Sequence, residues 1–500
     1  MRVPRPWPPL GLLSAVVGAA ALGTEIAAAR LLAPYFGAST VVWANTIATV
    51  LVALSVGYWL GGRAADRRPA LDALCSVVMG ASMVLAIVPL IAQPFLRTSV
   101  RALSALSIGG FLGSLLGVLV LVAAPVALLG CVAPWALRLS VSRIEETGRV
   151  GGRLYALSTG GSLVGVFLAA LVLVPFAGTR RTFETFALAL ALTVAPALRR
   201  SARVACALPL VLLVLPTATI KTGPATGQVI YETETPYQYA RVVQAADGAR
   251  SLELDEGLAV HSLLRPGSWL TGNYWDGMLI DPILASGRVP SRVAILGNAA
   301  GTTARAFGHY FPQTAVDAVE LDGRLTDLGR RFFDLRGARL HTFTADARPY
   351  LQATTRRYDA ILVDAYRQPY IPFYLATREF FAMVRNRLTP GGALVVNVGH
   401  PSSSNALERA LSATIAVSLP GVRRDPIEPE NTLLMARRGA PAAQPGFPPP
   451  RLPADLAALA HSAGQRLGSA LPGGPVWTDD RAPVEWLIDE SIVNFAAGSG

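Results

Sequence analysis

The sequence predicts two parts: a bundle of membrane-spanning helices, followed by an α/β domain whose parallel sheet is covered by helices. Apolar residues are concentrated before residue 221, the excess positive charge lies in the same part, and strands that end in glycine or acid follow it. The chain has 500 residues, 52% hydrophobic and 15% charged, with a mean hydropathy of +0.42. This composition is too apolar for a wholly soluble protein and indicates membrane spans.

Seven apolar segments precede the α/β part, and most reach the ~20 residues that a helix needs to cross a bilayer core. A signal peptide is disfavoured for the first, because six more segments follow and no small-residue cleavage site ends it. We therefore expect residues 1–222 to form an all-α polytopic domain of about seven helices. Pro125 and Pro134 predict a break in the long fourth segment. The segments are 10–33, 41–62, 73–96, 108–137, 154–177, 183–198 and 204–220.

The formal net charge of +11 belongs to the membrane part. Residues up to Arg203 include 17 arginines and six acidic residues, whereas from Lys221 onward 27 basic residues balance 27 acidic ones. Arginines beside spans act as orientation signals, so this charge indicates a lipid bilayer and not a nucleic acid as partner. Three cysteines lie inside predicted spans at no metal or disulfide spacing: Cys75, Cys131 and Cys206.

An apolar run that ends in a glycine turn begins the main α/β domain. Val293 to Leu296 predict a strand, Gly297 and Gly301 bracket a tight turn, and Thr302 begins a helix whose first amides can face a ligand. This order of strand, glycine turn and helix is typical of a doubly wound, Rossmann-like nucleotide-binding domain.

Three further strands of this domain end in acidic residues. Glu320 stands where such a sheet places a carboxylate to hold both ribose hydroxyls. Asp346 can accept a hydrogen bond from an exocyclic amine, and Asp364 ends the fourth strand. Because the carboxyl ends of parallel strands share one edge, we expect a nucleoside site there. The predicted boundaries are 223–290 for a small β-lobe, 291–438 for the Rossmann-like domain, and 439–500 for a proline-rich excursion and tail.

Two segments near these strands are candidates for contacting a substrate. Thr271 to Asp276 is an aromatic and acidic cluster that leads into a helix, and its acid either caps that helix or takes part in the site. Arg367 to Tyr374 is rich in proline and aromatic residues and is suited to closing over a substrate. The substrate-side candidates are Tyr274, Asp276, Arg367 and Tyr370.

The residue types favour one kind of chemistry. No Ser/His/Asp order, metal-ligand spacing or GxxxxGK[ST] loop occurs in the sequence, which gives hydrolase, metal-dependent and kinase mechanisms no support. A neutral amine can attack an electrophile when a carboxylate within hydrogen-bond reach accepts its proton. Asp364 can provide that carboxylate; the alternative is that it caps the turn after its strand.

Six motifs of this chain occur together in one known family: Tyr237-Gln238, Gly297–Gly301, Val319-Glu320-Leu321-Asp322, Asp346-Ala347, Asp364 and Thr478–Glu485. With them, residues 228–400 resemble the polyamine aminopropyltransferases, or spermidine synthases. The two-part layout resembles bacterial membrane proteins that fuse a major-facilitator-like part to a spermidine synthase. Members of the family move an aminopropyl group from decarboxylated S-adenosylmethionine to putrescine and release methylthioadenosine.

The resemblance implies an S-adenosylmethionine-dependent transferase of polyamine biosynthesis that needs no metal. Its co-substrate would be decarboxylated S-adenosylmethionine or S-adenosylmethionine itself, and its partner a small amine such as a polyamine. A homodimer is left open. By position, Gln238, Gly297, Gly301, Glu320, Asp346 and Ala347 would bind the nucleoside, and Asp364 would deprotonate the attacking amine.

The chain departs from the family at the amine-binding positions. Ala300 stands where the family has an acid that holds the aminopropyl end, and Arg367 stands where a second aspartate holds the diamine. These departures leave the acceptor open. One alternative is a methyltransferase on the same fold that uses intact S-adenosylmethionine. The other is a transporter or sensor that binds a nucleoside or a polyamine without turnover.

The arginine distribution and the expected ligand disagree about topology. Arginines are more numerous at the amino terminus and in alternate loops, which places the amino terminus in the cytoplasm of a bacterial inner membrane. Seven spans would then export the α/β domain, whereas a nucleoside ligand requires the cytoplasm. One miscounted span would return the domain to the cytoplasm, and we expect that arrangement.

Overall fold

Two compact units make up the chain. The first contains Met1–Thr222 together with Glu234–Tyr239, and the second contains Gly223–Thr233 and Ala240–Gly500. The computed structural model describes residues 8–36, 40–105, 110–199, 203–215, 227–254, 260–366, 371–400, 404–439, 452–484 and 487.

The first unit is built from helices, as its continuous apolar sequence predicts. A π-helical turn, Ala169–Leu173, joins two of them. The α-helices are α1 (Leu10–Phe36), α2 (Thr40–Arg67), α3 (Leu71–Ala105), α4 (Gly110–Leu121), α5 (Ala123–Gly130), α6 (Val132–Ser140), α7 (Thr147–Leu168), α8 (Val174–Ala177), α9 (Thr179–Val194) and α10 (Ala207–Val214).

Five helical stretches among the described residues are long and apolar enough to cross a membrane, and two more are apolar but shorter. The prediction of about seven helices therefore roughly fits. The predicted segment 183–198 corresponds to α9, which has 16 residues and begins with Arg180 and Arg181 in its first turn. The long stretches are Leu10–Ala33, Val42–Arg67, Leu71–Leu96, Ala123–Ser140 and Ile144–Ala177, and the shorter ones are Leu112–Leu121 and Val204–Val214.

The fourth predicted segment breaks where its prolines require it. Helix α4 ends at Leu121, α5 begins at Ala123 and α6 begins at Val132. Pro125 and Pro134 therefore each lie in the first turn of a new helix, where a missing backbone N–H costs no intrahelical hydrogen bond.

Helices α1 and α7 pack backbone to backbone. A Cβ added at Gly161 would lie 2.0 Å from the carbonyl oxygen of Ala15, and one at Gly165 would lie 2.1 Å from that of Ala19. On α1, a Cβ at Gly18 would likewise meet a carbonyl of α7. Glycine permits this approach, which is the way helices associate where lipid removes the hydrophobic driving force between them.

The second unit contains two sheets. One has four strands in the order β1-β2-β3-β4, and the other has eight in the order β12-β10-β11-β9-β8-β5-β6-β7. The first four strands are β1 (Gly227–Glu234), β2 (Tyr239–Ala245), β3 (Arg250–Leu254) and β4 (Val260–Leu264); the others are β5 (Arg292–Leu296), β6 (Ala315–Glu320), β7 (Leu340–Thr344), β8 (Tyr358–Val363), β9 (Leu388–Gly399), β10 (Arg423–Glu428), β11 (Asn431–Arg437) and β12 (Gly468–Ser469).

Among the described residues, seven helices cover the two faces of the large sheet. Met278 and Phe307 belong to the core on one face, and Tyr358, Phe380 and Trp477 belong to the core on the other. The helices are α11 (Tyr274–Ser286), α12 (Thr302–Tyr310), α13 (Gly323–Phe332), α14 (Ala347–Ala353), α15 (Arg378–Arg387), α16 (Ala406–Ser418) and α17 (Ala454–Arg466). The predicted doubly wound α/β domain with a small β-lobe is confirmed.

The strand order reverses between β5 and β8. The chain runs outward through β5, β6 and β7 on one side, and through β8 and β9 on the other, with all five strands parallel. The crevice beyond the carboxyl ends of β5 and β8 is therefore the switch point at which doubly wound sheets bind ligands.

We expect that Gly161→Leu destabilises the first unit and that the neighbouring Gly160→Leu does not. A side chain at Gly161 must displace the α1 backbone, and such overpacking costs roughly 1–3 kcal/mol or more. At Gly160, an added Cβ has no atom within 4 Å among the described residues. Thermal unfolding in detergent measures the difference, and equal midpoints for the two variants would contradict the close α1–α7 packing.

Candidate active site

The loop after β5 forms one wall of the crevice. Gly297 and Gly301 have φ angles of +88° and +94°, which are strained for any residue with a side chain. A Cβ at Gly297 would lie 2.5 Å from both the carbonyl oxygen of Asp364 and the α-carbon of Ala365. The loop therefore lies directly against the end of β8, and only glycine at position 297 permits this contact.

Glu320, at the end of β6, holds the same loop from the other side. One carboxylate oxygen accepts from the N–H of Ala299 at 2.8 Å, and the other accepts from the N–H of Asp322 at 3.0 Å. Burial raises the pKa of Glu320 to about 7, and these two N–H groups oppose the rise. The carboxylate is thus positioned at the switch point, and its predicted role as ribose ligand stays a prediction.

Asp364 follows β8 and lies in a network of neutral donors. The Asn397 amide donates to one carboxylate oxygen at 2.8 Å, and the Tyr274 hydroxyl donates to the other at 3.2 Å. Burial raises the pKa of Asp364 to about 7; the hydrogen bonds from Asn397 and Tyr274 oppose the rise, and the charge of Glu320 adds to it. A carboxyl group that titrates near neutral pH is suited to accept a proton from an amine.

Sequence reasoning missed the group that orients this aspartate. Asn397 lies near the end of β9, and its amide oxygen accepts from the Asn431 amide at 2.9 Å. Its backbone carbonyl accepts from the Tyr366 hydroxyl, also at 2.9 Å. The sequence did contain a signal for Asn397, because it is a polar residue at the carboxyl end of the apolar run Ala393 to Val396. The acids on the neighbouring strands were identified by the same position at a strand end.

Tyr274 donates to Asp364, and its predicted substrate-side role stays a prediction, whereas Asp276 holds a turn. The Asp276 carboxylate accepts from the N–H and hydroxyl of Thr271 and from the N–H of Gly272. These bonds tie down the loop before α11, as the helix-entry interpretation predicts. A substrate-side role for Asp276 stays a prediction.

Asp346 caps the first turn of α14: one carboxylate oxygen accepts from the N–H of Arg348, and the other accepts from the hydroxyl of Tyr374 at 2.6 Å. Ala347 follows it and is buried. Arg348 also donates to both oxygens of Asp479, which ties the carboxyl-terminal tail to this helix. The predicted adenine contact of Asp346 therefore requires the Tyr374 hydroxyl to share or leave this carboxylate, and that contact stays a prediction.

Three predicted site residues are not among the described residues of the second unit. Gln238 belongs to the first compact unit with the segment Glu234–Tyr239, and its nucleoside role stays a prediction. Arg367 and Tyr370 lie outside the described residues. Within the described part of the chain, no three His, Cys, Asp or Glu side chains converge in a way that could hold a metal ion.

Comparisons with known proteins find similarity in this part of the chain. Residues 277–424 match the model of the family described as "Spermine/spermidine synthase domain". A "Probable polyamine aminopropyl transferase" of Bifidobacterium longum is 37% identical over 224 residues, which cover 43% of this chain and 49% of that protein. A "Polyamine aminopropyltransferase" of Vibrio vulnificus is 33% identical over 127 residues, which cover 24% and 40%. The chain thus spans about half the length of these curated relatives.

Solved structures are similar to this chain at lower identity. The crystal structure of a probable spermidine synthase from Corynebacterium glutamicum aligns with 54% of this chain and 95% of that one, at 20% identity and a TM-score of 0.40.

We expect Asp364→Asn to stabilise the second unit at pH 8. The pKa of Asp364 in the folded chain is about 7, whereas an unfolded aspartate titrates near ~3.9. Folding therefore favours the protonated form, and stability falls as pH rises from about 4 to about 7. Asparagine removes this loss, worth roughly 1–3 kcal/mol at pH 8. Thermal unfolding between pH 4 and pH 8 measures it.

The matched control is Asp359→Asn. The Asp359 carboxylate accepts from Arg288, from Thr389 and from the N–H of Ser291. Its loss should therefore destabilise the unit by roughly 1–3 kcal/mol at pH 8. A destabilised Asp364→Asn variant would show that ionised Asp364 is stabilised by the fold, against our interpretation.

Proposed function

We propose that this protein transfers an aminopropyl group from decarboxylated S-adenosylmethionine to an amine acceptor, in polyamine biosynthesis, because residues 277–424 match the spermine/spermidine synthase family model. The observation that carries the proposal is Asp364 at the switch point, held by Asn397 and Tyr274 with a pKa of about 7. No metal takes part in the proposed reaction.

In the proposed reaction, Asp364 acts as a general base. The acceptor ammonium gives a proton to the carboxylate, and the resulting neutral amine attacks the aminopropyl methylene bonded to sulfur. The C–N bond forms as the C–S bond breaks, and the electron pair of that bond passes to the sulfonium, which leaves as the neutral thioether methylthioadenosine. Tyr274 and Asn397 orient the carboxylate, so that much of the rate enhancement comes from positioning of the base.

Glu320 and the glycine loop would hold the nucleoside of the donor. A buried carboxylate at this strand end suits the two ribose hydroxyls. The hydroxyls can donate to it in the way that the N–H groups of Ala299 and Asp322 do. Additional hydrogen bonds from the ribose hydroxyls favour the ionised form of Glu320. Binding of the co-substrate should therefore lower the pKa of Glu320 from its value of about 7.

We place the protein in a bacterial inner membrane, with the second unit in the cytoplasm, where its donor is available. The five long apolar stretches support insertion. The acceptor is an amine whose class is left open by Arg367, and the aminopropyl end of the donor would lie near Ala300. This residue is buried, and its N–H donates to the Ser262 hydroxyl at 2.9 Å, so the loop provides no charge there for a cationic group.

The purified, detergent-solubilised chain should release methylthioadenosine when it is incubated with decarboxylated S-adenosylmethionine and a pool of amines. Asp364→Asn should lower the rate by about 10²–10⁴-fold, because a general base contributes that much. Mass spectrometry identifies the nucleoside product. S-adenosylhomocysteine from intact S-adenosylmethionine would instead show a methyltransferase, and absence of both products would favour a binding protein.

The pH dependence of kcat/KM tests the role of Asp364 separately. We expect a limb that rises with an apparent pKa near 7, since the base acts only when it is ionised. Asn397→Leu removes a donor that stabilises the ionised form, and the limb should move upward by about one unit. A loss of rate at every pH with no shift of the limb would assign Asn397 a different role.

A further inference from the structure

One side chain of the glycine loop has unsatisfied hydrogen-bonding groups. Asn298 is 6% exposed. Neither its amide oxygen nor its amide nitrogen has a hydrogen-bond partner among the residues that the structure describes. A primary amide offers two N–H donors and an acceptor oxygen, and nearly all buried groups of this kind are paired in native proteins. Within the described part of the chain, both ends of this amide are therefore available to a ligand that binds to the loop.

The main chain of Asn298 fixes its place between the two buried acids. Its own N–H and that of Gly297 donate to one carbonyl of β6, and the next N–H, from Ala299, donates to Glu320 at 2.8 Å. On the other side, Gly297 lies against the backbone of Asp364. The amide therefore belongs to a hydrogen-bonded stretch of loop at the switch point, between the proposed ribose ligand and the proposed base.

We propose that Asn298 binds the amino-terminated end of the sulfonium co-substrate, a step that rests on the function proposed above. The amide oxygen accepts from the ammonium group. The amide N–H donates to the carboxylate in a co-substrate that retains one. One uncharged side chain thereby satisfies both forms of the donor, whereas an acid in this loop would attract the ammonium and repel the carboxylate.

The neighbouring residue supports this assignment. Ala300 is 1% exposed, and its N–H is already bonded to the Ser262 hydroxyl, so it offers no side-chain ligand. The amide of Asn298 is then the polar side chain that this part of the loop presents. Selectivity against a carboxylate arises from a repulsive element, and a neutral loop lacks one. The site should consequently accept S-adenosylmethionine as well as its decarboxylated form.

Calorimetric binding to the full, detergent-solubilised chain tests the proposal with three ligands: methylthioadenosine, decarboxylated S-adenosylmethionine and S-adenosylmethionine. The wild type should bind the two sulfonium compounds with dissociation constants within about tenfold of each other. Asn298→Ala should weaken both by about 10-fold or more, and methylthioadenosine, which lacks the amino-terminated end, by less than about twofold.

Two further variants sharpen the result. Asn298→Asp should restore discrimination and favour the decarboxylated compound over S-adenosylmethionine by at least about tenfold, since the new charge repels the carboxylate. Asn386→Ala removes an exposed asparagine on α15 and should leave all three affinities unchanged.

The outcomes separate this proposal from the one on which it rests. Equal weakening of all three ligands in Asn298→Ala would show that the side chain only supports the loop, and unchanged affinities would show that it touches no ligand. Either result overturns the proposal while leaving the nucleoside site intact. A wild type that binds none of the three ligands overturns the proposed function itself.

Discussion

The close approach of the loop after β5 to the end of β8 is the constraint on which the site depends. At Gly297, backbone meets backbone at a distance that leaves no room for a Cβ. This contact brings the glycine loop and Asp364 to one point, although they lie on strands separated by two others in sequence. Glu320 accepts from the N–H of Ala299 in the same loop. One short segment therefore contacts both the end of β8 and the acid at the end of β6.

The electrostatics of the site follow from its donors. Asp364 and Glu320 receive hydrogen bonds from amides, a hydroxyl and backbone N–H groups. Neutral donors compensate burial only in part, and the pKa of each acid therefore rises to about 7. Two other buried acids, Asp425 and Glu408, have a different environment, because each is paired with an arginine. Asp364 and Glu320 lack such a charged partner among their hydrogen bonds in the described part of the chain.

The first unit, like the site, depends on close backbone contact at glycine. Gly161 and Gly165 admit the carbonyls of α1. Two buried polar side chains of this unit are paired between helices: the Asn45 amide donates to Ser114, and the Ser82 hydroxyl donates to a carbonyl of α9. Small residues and paired polar groups are what helix association in lipid requires. They account for the packing of these helices and leave transport unassigned.

The sequence by itself determined the division into two parts, the four parallel strands that begin the large sheet, the glycine turn and the acids at the strand ends. These are local properties, because periodicity, turn chemistry and apolar length act over a few residues. Only the tertiary structure decided that Asn397 and Tyr274 bind Asp364, that Asp276 holds a turn, and that Asn298 is buried without a partner among the described residues. Such relations depend on which distant segments meet, and a single sequence carries no local signal for that.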